Sequence, residues 1–195
     1  IDRKTGDLSL PEIVEVAIAQ LSTHDQFFMM AEGGKIDYAS HANDGGTVLR
    51  EVLDFDDAIK VAYDFYMQHP DETLIVVTAD HETGGMALGN SDYTLNLKVL
   101  AEQKCSSDLL SDQLSALQKE AGKHLTWEQV KEVISKNTGL YTVVEISKEE
   151  DQLLQAAFGQ MMQHQGVEKS LYKDINALAS KALALLNQKS RLGWT

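Results

Sequence analysis

The sequence predicts an α/β fold, a layered arrangement in which a largely parallel sheet is flanked by helices. Two short, uninterrupted apolar runs, Phe27–Ala31 and Leu74–Val77, have the character of strands buried on both faces. A stretch of helically spaced apolar residues precedes each run. The resulting order (helix, strand, loop, helix, strand) is the rhythm of a parallel layered sheet.

The first helix is marked by Ser9-Leu10-Pro11-Glu12, a capping box with proline in the first turn, where a missing N–H costs nothing. Leu10, Ile13, Val14, Ala17, Ile18 and Leu21 then form its apolar face. After the first strand a loop is expected from Glu32 to about Leu53. Asp54 is expected to cap a second helix, with stripe residues Phe55, Ala58, Ile59, Ala62, Phe65 and Tyr66, that ends at His69-Pro70. Beyond Gly89, Leu95, Leu97 and Val99 alternate like a half-exposed strand. Ser106 to about Ala121 and the segment from Thr126 read as helices, and Leu140–Ile146 reads as a strand. Ser147 opens another helix, and a last one is expected from about Ser170 to Gln188. The chain thus divides into an α/β part (1–90), an insertion-like α+β part (91–140) and a strand with two helices (141–195).

Composition limits the function. The 195 residues are 43% hydrophobic and 24% charged with two prolines, which excludes disorder as a reading of the whole chain. No apolar stretch is long enough to span a bilayer, and Ile1–Asp7 carries no apolar signal region. A net charge of −13 argues against nucleic-acid binding, and a phosphate substrate needs cations between it and such a chain. Cys105 is the one cysteine, so no internal disulfide forms and the compartment stays open.

Two clusters could carry chemistry, and each leaves the carboxyl end of an expected strand, where open α/β sheets place their sites. Glu32-Gly33-Gly34-Lys35-Ile36-Asp37-Tyr38-Ala39-Ser40-His41 holds two carboxylates and an imidazole. Thr78-Ala79-Asp80-His81-Glu82-Thr83-Gly84-Gly85 adds an Asp-His pair and a spare glutamate. Zinc takes histidine nitrogen and carboxylate oxygen, whereas magnesium prefers oxygen alone. Taken singly, an Asp-His pair reads as a cap or surface turn, and Glu82 as an outer partner or an exposed acid. Asp44, in Asn43-Asp44-Gly45-Gly46, reads as a turn residue. His24, His69, His124 and His164 read as solvent-facing or capping.

The stretch Ala31-Glu32-Gly33-Gly34-Lys35-Ile36-Asp37, then His41, then Val77-Thr78-Ala79-Asp80-His81 resembles the alkaline phosphatase family. The similarity extends over most of the chain, including Phe27-Phe28 and the ending Leu192-Gly193-Trp194-Thr195. The resemblance implies the carboxy-terminal portion of a metal-dependent phosphomonoesterase that works through a phosphoserine with two zinc ions and one magnesium. It implies that Asp37 and His41 bind one zinc, Asp80 and His81 the second, and Glu32 the magnesium. Two ions about 4 Å apart clamp the attacking and leaving oxygens of such a displacement and offset charge on the phosphoryl group. The resemblance also implies export to the periplasm or exterior and a homodimeric parent.

There are departures. The family's nucleophilic serine, phosphate-clamping arginine and further metal-bridging aspartate have no counterpart here. The last zinc histidine lies, in the family, in a His-Thr-Gly motif after a segment like Leu192–Thr195. Tyr38 stands where many members carry histidine or lysine. The expectation is a truncated piece with weak metal binding and no appreciable phosphatase activity. Two other readings are a non-catalytic metal- or phosphate-binding domain and a sulfatase, phosphodiesterase or phosphoglycerate-mutase relative. The Glu-Gly-Gly-x-Ile-Asp block weighs against the relatives.

Overall fold

Local capping chemistry sets most of the helix starts. The structure is a computed structural model that describes residues 1–89, 94–169 and 172–194. Helix α1 (Leu10–Leu21) begins at Ser9, whose side chain accepts from the Glu12 amide while Glu12 reaches back to the Ser9 amide. The same reciprocal box opens α5 (Trp127–Thr138) at Thr126 and Gln129, and α6 (Lys148–Met162) at Ser147 and Glu150. Ser106 caps α4 (Ser107–Ala121) through the Leu109 amide.

Two helices start where the sequence reading does not put them. Helix α2 (Gly34–His41) occupies much of the expected loop, and α3 (Gly45–Gln68) begins nine residues before Asp54, with Asp44 as its cap. Asp54 instead accepts from Arg3 Nη2 at 2.6 Å and from the Leu10 amide at 3.3 Å, at the start of α1. Helix α7 (Ala177–Ser190) begins later than the expected start at Ser170, which lies outside the described residues, as does Thr195.

The expected parallel sheet is not found among the described residues. They hold four two-residue strands in two antiparallel pairs: β1 (Ala87–Leu88) with β4 (Leu192–Gly193), and β2 (Val167–Glu168) with β3 (Ile175–Asn176). Phe27–Ala31 and Leu74–Val77 hold no regular secondary structure and bond no neighbouring strand. Most of their side chains face solvent, with Phe28 89% and Leu74 86% exposed, while Met29 and Ile75 are half-buried. An apolar run buried on both faces needs strands on both sides of it, and none is among the described residues. Leu97–Glu102 is a 3-10 helix rather than part of a strand, and Leu140–Ile146 is a turn with one parallel bridge, Leu140 to Val144.

The main core is helical. Leu110 and Leu114 of α4, Val130 and Ile134 of α5, Leu154 and Met161 of α6 and Leu178 and Leu186 of α7 bury together. A smaller cluster joins Val14 and Ile18 of α1 to Ala58 of α3, with Met29 and Phe65 against it. Cys105 is buried in the main core, and burial pushes its thiol up to about 12. Only the thiolate attacks disulfide reagents. Native protein at pH 8 should therefore leave Cys105 unlabelled by Ellman's reagent over the time in which guanidinium-unfolded protein reacts fully. Equal rates in the two states would contradict the buried placement.

Candidate metal centre

Helix α2 places Asp37 and His41 one turn apart on one face, so the four-residue interval in the sequence is a helical spacing. Asp37 Oδ1 lies 3.5 Å from His41 Nε2, and both side chains are about one-third exposed. The second cluster follows Leu74–Val77 as an irregular loop. There His81 Nε2 is 3.4 Å from Asp80 Oδ2, the His81 amide donates to Asp80 Oδ1, and the Glu82 carboxylate accepts from the Gly85 amide.

The two clusters meet through hydroxyl groups. Thr83 Oγ1 donates to Asp37 Oδ1 at 2.8 Å and lies 3.2 Å from His81 Nδ1. Close packing supports the junction. Gly84 has φ +75°, and a Cβ there would stand 2.7 Å from the Ser40 carbonyl oxygen, so only glycine brings this loop so near α2. Past the loop, β1 pairs with β4 and carries Trp194 against the same glycine. From the other side, Asn187 Nδ2 of α7 donates to the Asn43 carbonyl just after α2, at 2.6 Å.

A third segment contributes Tyr172. Its hydroxyl donates to Asp37 Oδ2 at 2.7 Å. The bonds from Tyr172, first, and Thr83 hold the Asp37 carboxyl below the usual carboxylate range. In return the Asp37 carboxylate pushes the Tyr172 phenol up to about 12. His81 is raised above its ordinary value, chiefly by the Glu82 carbonyl and then by Asp80. Glu32 lies before α2 and lines a cavity of about 810 Å³ together with Tyr38 and Tyr172. Lys35 Nζ sits 4.6 Å over the Tyr38 ring.

The donors are of the kinds that zinc accepts, two Asp-His pairs joined by a threonine. Their number is short. Among the described residues no group of three His, Cys, Asp or Glu side chains is placed to hold a metal ion. The arrangement is two Asp-His pairs side by side.

The sequence profile described as alkaline phosphatase matches residues 1–195, the whole chain. The chain belongs to the alkaline phosphatase family. It is 29% identical to alkaline phosphatase 4 of Bacillus subtilis (strain 168), over all of this chain and 37% of that protein. It is 30% identical to the repressible alkaline phosphatase of Saccharomyces cerevisiae, over all of this chain and 34% of that protein. A crystal structure of a cold-active alkaline phosphatase from the psychrophile Shewanella sp. superposes with a TM-score of 0.72 at 27% identity, covering 95% of this chain and 40% of that one. The chain therefore spans well under half the length of these relatives.

Within this chain the structure brings Asp37, His41 and His81 into one connected cluster, with Asp80 against His81. Glu32 stands on its cavity side. Sequence reasoning missed Thr83 and Tyr172. Thr83 lies inside the second motif, and a hydroxyl two residues after the histidine was a readable signal. Tyr172 is 135 residues from Asp37 and has no local signal.

Proposed function

We propose that this chain supplies part of the metal centre of a phosphomonoesterase. Asp37 and His41 would hold one zinc ion, Asp80 and His81 a second, and Glu32 a magnesium ion. Bound there, the ions supply electrophilic stabilisation of a phosphoryl group and activation of water. The family carries the reading to phosphate monoesters. The observation that supports it most directly is the Thr83 hydroxyl, which ties the two donor loops together at Asp37.

The protein groups have separable tasks. Thr83 links the Asp37 carboxylate to the His81 ring, and Gly84 lets the loop approach α2. The Asp80 carboxylate sits beside the His81 imidazole and favours its protonated form until a cation replaces the proton. The nucleophile, the phosphate-clamping arginine and the remaining ligands are assigned to the rest of a protein of the relatives' length, as are the phosphoserine step, export and dimerisation. The 195 residues by themselves are then metal-binding but not hydrolytic.

Equilibrium dialysis against Zn²⁺ tests the reading, with p-nitrophenyl phosphate as substrate. The chain should retain zinc, lose much of it in His41→Ala and His81→Ala, and show no turnover. A protein that carries this segment at the relatives' full length should hydrolyse the ester. Zinc retention untouched by both histidine variants would sink the ligand assignment, and turnover by the 195-residue chain would sink the division of labour.

A further inference from the structure

Tyr172 makes three contacts with α2, all on residues of the candidate centre. Its hydroxyl donates to Asp37 Oδ2 at 2.7 Å, its ring stands edge-on to Tyr38 at 77°, and it meets the His41 ring at 71° with centroids 5.7 Å apart. The segment that carries it is fastened. Tyr172 lies in the connection between β2 and β3, whose antiparallel pairing sets Val167 opposite Asn176. The next residue, Lys173, donates to Asp112 Oδ1 at 2.7 Å, and the Asn176 amide donates to Ser111 Oγ at 2.9 Å, both on α4.

We propose that Tyr172 is a positioning residue for Asp37: its hydroxyl takes Oδ2 and so turns Oδ1 toward His41 and Thr83. The geometry divides the carboxylate between two donors, with Tyr172 on one oxygen and Thr83 on the other. A carboxylate bonded on both oxygens keeps one orientation, so a cation binding there need not fix it. The lone pairs left on Oδ1 face the imidazole 3.5 Å away, where a shared cation would sit. A tyrosine on a segment anchored to α4 thus links the helical core to the ligand set, a role usual for outer partners of metal ligands.

Two measurements on the full chain decide it. In metal-free protein, urea unfolding of wild type, Tyr172→Phe, Asp37→Asn and the double variant forms a cycle. Each single change should raise the unfolding constant about threefold to tenfold, and the double should raise it no more than the larger single. Independent, additive losses would overturn the bond. The second measurement rests on the reading of Asp37 as a ligand: Zn²⁺ is titrated in competition with a chromophoric chelator. Tyr172→Phe should bind zinc about tenfold more weakly at unchanged helix content. Unaltered zinc affinity in a wild type that binds zinc would overturn the orienting role. A wild type that binds no zinc refutes the metal-centre reading instead, and the unfolding cycle alone then decides Tyr172.

Discussion

Asp44→Ala should destabilise the fold by about 4 kcal/mol, the largest loss expected of a single polar substitution here. Asp44 is 1% exposed and accepts four hydrogen bonds. Two come from Thr47, its amide at 3.1 Å and its hydroxyl at 2.9 Å, one from Gln103 Nε2 at 2.6 Å and one from the Ser107 amide at 2.7 Å. The amides belong to the first turns of α3 and α4, so one carboxylate serves two helix N-termini and lies at the positive end of both. Burial pushes this carboxyl upward while the four donors pull it back. Alanine leaves the Thr47 and Ser107 helix-start amides without their carboxylate acceptor, at about 1–3 kcal/mol each, and takes from Gln103 Nε2 its shortest bond, although the Cys105 carbonyl still accepts from it. Asn keeps one acceptor and the volume, so Asp44→Asn should lose less. Urea unfolding followed by far-ultraviolet circular dichroism measures both. A loss under about 1 kcal/mol in the alanine variant would show that the carboxylate does not join the two helices.

Asp37→Ala is expected to weaken Zn²⁺ binding by at least about 100-fold, more than loss of an outer partner brings. Three side chains depend on this carboxylate: Thr83 on Oδ1, Tyr172 on Oδ2, and His41 one turn on. Removing it deletes a proposed ligand and releases the Thr83 and Tyr172 hydroxyls bonded to it. Isothermal titration with Zn²⁺ reads the change. Helix content should stay the same, because Asp37 is part-exposed in the first turn of a short helix. Wild-type affinity in this variant would take Asp37 out of the centre.

Those two residues show what a sequence discloses and what it hides. Ser9 with Glu12, Thr126 with Gln129 and Ser147 with Glu150 were readable because a capping box is complete within four residues. The start of α3 was not. Gly45-Gly46 looks like a turn, yet Gly46 sits inside the helix because any Cβ there would collide with the Gln103 side chain, which bonds Asp44. That reason lies 57 residues along the chain and is tertiary. The donor types at Glu32, Asp37, His41, Asp80 and His81 were legible from motif spacing. The Thr83 hydroxyl lay within the second motif, but its bond to Asp37 across 46 residues did not show, and Tyr172, 135 residues from Asp37, leaves no local pattern. The α/β expectation took the apolar runs as strands buried on both faces, whereas most of their side chains are exposed and no strand among the described residues pairs with them.

The bare ribbons at Phe27–Ala31 and Leu74–Val77 have a practical consequence for handling the molecule. Backbone without a strand partner, with Phe28, Met30, Leu74 and Val76 turned outward, offers a surface on which one copy can stack on another. A charge of −13 keeps copies apart at low ionic strength, and added salt screens that repulsion while leaving the adhesive edges intact. Colloidal behaviour of the chain should therefore vary with ionic strength and concentration through these ribbons, which lead directly into the Glu32 and Thr78 loops.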